Sequence, residues 1–159
     1  MPAPDKIDIN PANLKRSRLF AGLSDEQLQE LLGFARIGQW PRGGRIITAG
    51  EPNGAFYFIE QGGVDIFKQV VSREGEHEVK IASLQVGHTF GEMALLDPHP
   101  CPASAIANSD SVVLAFDHSD LAKLDPSIYT TLLVNLTREV SRRLRTSDQY
   151  FAASIFSHR

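Results

Sequence analysis

Cysteine is almost absent from this chain of 159 residues, which holds a single one, Cys101. An internal disulfide framework is thereby excluded, and a reducing compartment is the consistent setting. Long apolar runs are missing as well. No window approaches the ~20 apolar residues that a membrane-spanning helix needs. Positive charge is not in excess: 16 Lys and Arg stand against 19 Asp and Glu, for a formal net charge of −3. No global basic field therefore draws in DNA or RNA. The first residues, Met1 to Ile9, carry alternating charge and no apolar core, unlike a secretory signal, so a cytoplasmic location is expected. The histidines (His77, His88, His99, His118 and His158) are scattered without ligand spacing, and no metal is expected. Ser104 and His99 have no identifiable acid to orient them as a nucleophile and base, so the chain is not expected to be an enzyme. There is no internal repeat and no low-complexity tract. What remains is ordinary globular composition, 42% hydrophobic and 22% charged, in a chain long enough for one domain with a substantial core.

The pattern along the chain is helices, then many strands, then helices. Residues 1–13, rich in Pro and polar groups, are expected to form a flexible arm, and 14–159 a single domain. Leu14 to Phe20 suits a short helix. Ser24-Asp25-Glu26-Gln27 has the form of a capping box, and Leu28, Leu31, Leu32 and Ala35 then recur at helical spacing, which predicts a helix over 25–35. From Ile37 the texture changes. Ile46-Ile47, Ala55 to Ile59, Val64 to Val71, Val79 to Leu84 and Val112 to Phe116 are β-branched or aromatic runs between Gly, Pro, Asn and Asp turns. Ser72 to Glu78 is expected to be a charged hairpin loop. Short strands at regular spacing indicate a sandwich or jelly roll over about 37–116. Helical texture returns over about 117–157: Asp117 is placed to cap a short helix, and Asp125-Pro126 to start a longer one. Tyr129, Leu132, Leu133, Leu136, Val140 and Leu144 form its apolar stripe, while Arg138, Arg142, Arg143 and Arg145 read as a solvated face.

The most informative segment is Phe90-Gly91-Glu92-Met93-Ala94-Leu95-Leu96, followed by Asp97-Pro98-His99-Pro100-Cys101-Pro102-Ala103-Ser104-Ala105. Gly91 lets the backbone come close to a ligand. The first N–H groups of a short helix lack internal partners and point at negative charge. Glu92 is placed to accept a hydrogen bond from a sugar hydroxyl; its plainer reading is an acid favouring a helix start. Together they form a small cassette suited to a ribose and an anion.

Three segments in order resemble one family. Arg42-Gly43-Gly44-Arg45-Ile46-Ile47 with Gly50-Glu51 resembles its early strand pair. Phe56-Tyr57-Phe58-Ile59-Glu60-Gln61-Gly62-Gly63-Val64-Asp65-Ile66 resembles its first long hairpin. Leu84, Gly87, Phe90, Gly91 and Glu92 resemble the approach to its phosphate-binding cassette. From Leu19 to Leu144 the chain is similar to a stand-alone cyclic nucleotide-binding domain, of the catabolite-activator and kinase-regulatory-subunit type. The resemblance implies a mainly β fold with flanking α: a β jelly-roll barrel (double-stranded β-helix) with N-terminal helices, a short cassette helix and C-terminal lid helices. It implies a ligand site formed by Phe90, Gly91, Glu92, Met93, Ala94, Cys101, Pro102, Ala103 and Ser104. In that match Glu92 takes the ribose, Met93, Ala94 and Ala103 offer backbone donors to phosphate, and Ser104 opens the next strand.

Two positions depart from the family. Cys101 stands where the family has the Arg that pairs with the cyclic phosphate, and Pro102 supplies no N–H. A charge-assisted hydrogen bond is worth roughly 1.5–3 kcal/mol, so losing that pair costs about one to two powers of ten in affinity. The expectation is a regulatory module that binds a cyclic nucleotide weakly, cAMP in preference to cGMP, and signals through its C-terminal helix to a homodimer partner or a separate effector. The alternative is a degenerate scaffold that binds no nucleotide and serves protein–protein interaction or dimerisation. Tyr150, Phe151 and Phe156 are candidates to stack on the base. No helix-turn-helix follows before Arg159, so DNA binding through such a module is not expected.

Overall fold

The structure, a computed structural model, describes residues 7–96 and 100–156. Eight strands form two four-stranded antiparallel sheets. One has the order β1 (Arg36–Trp40), β8 (Ser111–Asp117), β3 (Ala55–Gln61), β6 (Thr89–Phe90); the other has the order β2 (Arg45–Ile47), β7 (Ala103–Ala107), β4 (Gly63–Ser72), β5 (Gly75–Gln85). This interleaving is that of a jelly roll. The two sheets stack as a sandwich, with no described strand pair closing them into a continuous barrel.

Alternation along the strands decides what each face meets. Ile59, Phe90 and Val113 of the first sheet pack against Ile47, Val64 and Ala105 of the second. The opposite face of the first sheet carries Phe56, Phe58, Leu114 and Phe116, and the helices cover it. Phe56 and Phe116 stack at 4.9 Å between ring centroids, and Phe20 meets both rings and Phe58. Burying side chains of this size contributes about 1.5–3 kcal/mol each, and this layer fixes the helices on the sandwich.

The helical layer has three α-helices, α1 (Asp25–Leu32), α2 (His118–Leu121) and α3 (Pro126–Phe156), with 3-10 turns at Pro11–Arg16, Arg18–Phe20 and Glu92–Leu95. The expected capping box at α1 is present in full: Ser24 Oγ accepts from Gln27 N, and Gln27 Oε1 from Ser24 N. Asp125 caps α3 through Ser127 N at 2.8 Å. Leu132 and Leu136 of the α3 stripe are buried, as is Ile128, whereas Leu144 lies beyond the core and is exposed. Asn135, buried on the same face, donates to the carbonyls of Leu19 and Ala21 at 2.9 and 2.8 Å. This bond pair ties α3 to the N-terminal turns.

Four local expectations are corrected. The predicted helix Leu14 to Phe20 is two 3-10 turns, broken at Ser17, and the first begins at Pro11. There Asn13 Nδ2 donates to Glu60 Oε1 at 2.8 Å, so ordered structure begins inside the segment read as an arm. The predicted loop Ser72 to Glu78 is mostly strand. Pairing runs from Gly63↔Gln85 out to Ser72↔Gly75, because charged side chains project from both faces of the hairpin into solvent without interrupting its ladder. Asp117 stands at the N-cap of α2 as expected, but its side chain makes no capping bond; its carboxylate accepts from Arg36 Nη2 at 2.6 Å instead. The strand Arg36–Trp40 was not read from the sequence, since Gly38 and Gln39 interrupt its apolar pattern. Among the described residues no helix is long and apolar enough to cross a membrane.

Candidate functional site

The cassette grows out of β6. Phe90 is buried and its ring stacks on Tyr57 at 5.1 Å. The chain then turns at Gly91, whose φ of 71° is left-handed, into the 3-10 turn Glu92–Leu95. A Cβ at Gly91 would lie 3.1 Å from Ile47 Cδ1 and 3.3 Å from the Ala55 carbonyl oxygen. Glycine is favoured there by the left-handed conformation, and the space beside it is tight. The turn buries Ala94 and Leu95 and leaves Met93 exposed, and the N–H of Ala94 is already bonded to Gly91 O.

Glu92 follows immediately and is 6% exposed. A buried carboxylate needs a partner, and one oxygen has it: Oε1 accepts from Arg143 Nη2, on α3, at 2.6 Å. The other, Oε2, is buried with no hydrogen-bond partner among the described residues. Arg143 is itself about half exposed and also approaches Glu139 Oε1 at 3.7 Å. The carboxylate thus sits at the junction of cassette and C-terminal helix, with acceptor capacity to spare.

All nine residues expected at the site line one cavity of about 620 Å³, within the ordinary size for a small-molecule site. Phe90, Gly91, Glu92, Met93 and Ala94 come from β6 and the cassette turn; Cys101, Pro102, Ala103 and Ser104 come from the segment that leads into β7. Cys101 is a free thiol of intermediate exposure, and its carbonyl accepts from Gly50 N at 3.0 Å. Ser104 is buried, its Oγ accepting from Ala49 N at 2.9 Å and lying 3.4 Å from Arg45 Nη1. Arg45 is itself bidentate to Glu78, at 3.0 Å on both oxygens. The remaining walls are mainly apolar, with Ile47, Ile66, Ile81 and Leu84 from the second sheet and its hairpin. A second, smaller cavity of about 350 Å³ lies between the N-terminal turns and α3, and shares Leu84, Thr89, Glu92 and Arg143 with the first.

Sequence reasoning missed the apolar wall and Arg143. The wall is contributed by strand residues that serve equally as core, and Arg143 lies 51 residues from Glu92 on a helix face that reads as solvated. Asp97 and His99 lie outside the described residues, as do the side chains of Tyr150, Phe151 and Phe156. Among the described residues no group of three or more His, Cys, Asp or Glu is placed to hold a metal ion.

Residues 38–125, more than half of the chain, match the model of the family described as cyclic nucleotide-binding domain. The chain is 33% identical to the cyclic AMP receptor protein of Thermus thermophilus, over 85% of this chain and 61% of that one. It is 30% identical to the cAMP-dependent protein kinase regulatory subunit of Blastocladiella emersonii, over 67% of this chain and 26% of that one. The crystal structure of the Thermus thermophilus catabolite activator protein superposes with a TM-score of 0.75 at 32% identity, covering 84% of this chain and 61% of that one. This chain therefore spans less than two thirds of each of these relatives.

Proposed function

The chain belongs to the cyclic nucleotide-binding domain family, and we propose from that membership and from its site that it is a regulatory module, not an enzyme, whose cavity takes a cyclic nucleotide. The observation that carries this reading is Glu92, a buried carboxylate with one oxygen on Arg143 and the other unpartnered beside a 620 Å³ cavity. Such a group calls for hydroxyl donors, and a ribose supplies them. The base then lies against the aliphatic walls, where burial contributes about 25 cal/mol per Å² of apolar surface. Similarity to a cyclic AMP receptor protein and to a cAMP-dependent protein kinase regulatory subunit favours cAMP over cGMP.

The same carboxylate links occupancy to α3. A hydroxyl that takes Glu92 alters its bond with Arg143, and the helix shifts only as far as the ligand prefers one of its positions over another. The output then passes along α3 to an effector or to a second copy of the chain. Binding is expected to be weak, since Cys101 supplies no cation and Pro102 no N–H at the phosphate corner. Those two positions also favour the second reading, a scaffold that has lost its nucleotide.

Calorimetric titration of cAMP into the wild type and into Glu92→Gln tests the proposal. A hydroxyl bond to a charged acceptor is worth roughly 1.5–3 kcal/mol, so the variant is expected to bind about ten- to a hundredfold more weakly. Equal affinities in the two folded proteins would remove Glu92 from the site, and no binding to either would favour the scaffold reading.

A further inference from the structure

We propose that the cavity recognises its ligand as an uncharged nucleoside, with the phosphate adding nothing to affinity. The inference rests on the reading of Glu92 as sugar acceptor and goes beyond it in naming what the site does not need. The first ground is charge. Glu92 and Arg143 are the only ionic side chains among the described residues that line the cavity, and they are paired with each other at 2.6 Å. An anion entering here meets a site with no net charge.

The second ground is the Pro100–Pro102 stretch of the lining. Pro100, Cys101 and Pro102 line the cavity; the two prolines have no N–H to donate, and the thiol is a poor donor. Arg45, 3.4 Å from Ser104 Oγ, holds both oxygens of Glu78 and is absent from the lining. Taking a phosphate out of water against such a surface is unfavourable unless a cation or several donors replace its hydration.

The third ground is the demand the site does make. Glu92 Oε2 is buried and unpartnered, so it seeks a donor and repels an acceptor. A sugar hydroxyl supplies a donor at that point. The aliphatic surface of Ile47, Ile66, Ile81 and Leu84 then accommodates a base. Sugar and base satisfy the carboxylate and the aliphatic wall, whereas the phosphate finds no unpaired cation in the lining.

The test is titration of the full chain with adenosine, guanosine, cAMP, cGMP and 2′-deoxyadenosine, at low and at high salt, by calorimetry. Adenosine or guanosine is expected to bind at least as tightly as its cyclic phosphate, and both affinities to be insensitive to salt. The deoxynucleoside is expected to bind about tenfold or more weakly than adenosine. A cyclic nucleotide that binds tenfold more tightly than its nucleoside overturns the inference and leaves the cyclic-nucleotide reading standing. Binding of neither class defeats both, and equal binding of adenosine and its deoxy form removes Glu92 as the sugar acceptor. The double variant Cys101→Arg, Pro102→Ser supplies a second readout. It is expected to strengthen cAMP by about ten- to a hundredfold relative to adenosine. An equal change in both ligands would show that this corner does not set the preference.

Discussion

At the scale of single residues, the site turns on a glycine and an acid in succession. Gly91→Ala places a Cβ on a left-handed backbone and against Ile47 and the Ala55 carbonyl. It is expected to cost about 1–3 kcal/mol in urea unfolding and to weaken ligand binding, because Glu92 moves with the turn. A second residue-scale prediction concerns Asp65, whose carboxyl is held below its usual range by hydrogen bonds from Asn108 and Ser83. A depressed pKa contributes stability that is present above the unfolded value, near 3.9, and is lost as pH falls through the folded one. Asp65→Asn is therefore expected to be about 1 kcal/mol less stable at neutral pH, a gap that closes on acidification. Paired urea midpoints at neutral and acid pH measure it, and a gap independent of pH would contradict the assignment. Glu92 was legible from the sequence because its chemistry sits in a local motif. Arg143 was not: helical periodicity says that a residue faces outward from the core, not that its long side chain bends back to an acid on another element.

At the scale of elements, α3 is the part proposed to report occupancy, and two of its polar attachments are specific to it. Asn135 closes on two carbonyls of the N-terminal turns, and Arg143 closes on the cassette. Asn135→Ala leaves Leu19 O and Ala21 O without that donor and is expected to cost about 1–3 kcal/mol, read as a shift of the denaturation midpoint without change of slope. Arg143→Ala acts at the cassette. Because its loss leaves the buried Glu92 carboxylate without that partner, it is expected to cost about 1–3 kcal/mol. Hydrogen exchange is also expected to speed up in the α3 turns beyond Glu139 and in the cassette together. Faster exchange in only one of them would show that the ion pair does not couple the two. The helix and its stripe were legible from 3.6-residue periodicity, and α1 from its capping box. The 3-10 turns before it were not, since Ser17 and Pro11 interrupt any pattern long enough to read. The β4–β5 hairpin was read too short, because its outer half has no buried face and only the burial pattern marks a strand from sequence.

At the scale of the whole molecule, the fold places a cavity where the second sheet meets the cassette and α3. The first sheet is held between the inter-sheet core and the helices. The second sheet supplies the apolar wall through its hairpin. The jelly roll was legible from the spacing of short strands, and the cassette from its motif. The order of strands within the sheets, and hence which residues share the cavity, depends on long-range pairing that local sequence does not encode. The account stands on one claim, that this cavity holds a ribose-bearing ligand through Glu92. Titration of cAMP, followed by the unfolding free energy of the wild type, tests it most directly. Saturable stabilisation is predicted, reaching ~2.7 kcal/mol at a hundred times the dissociation constant. A folded protein whose stability does not change up to millimolar cAMP or adenosine would contradict it.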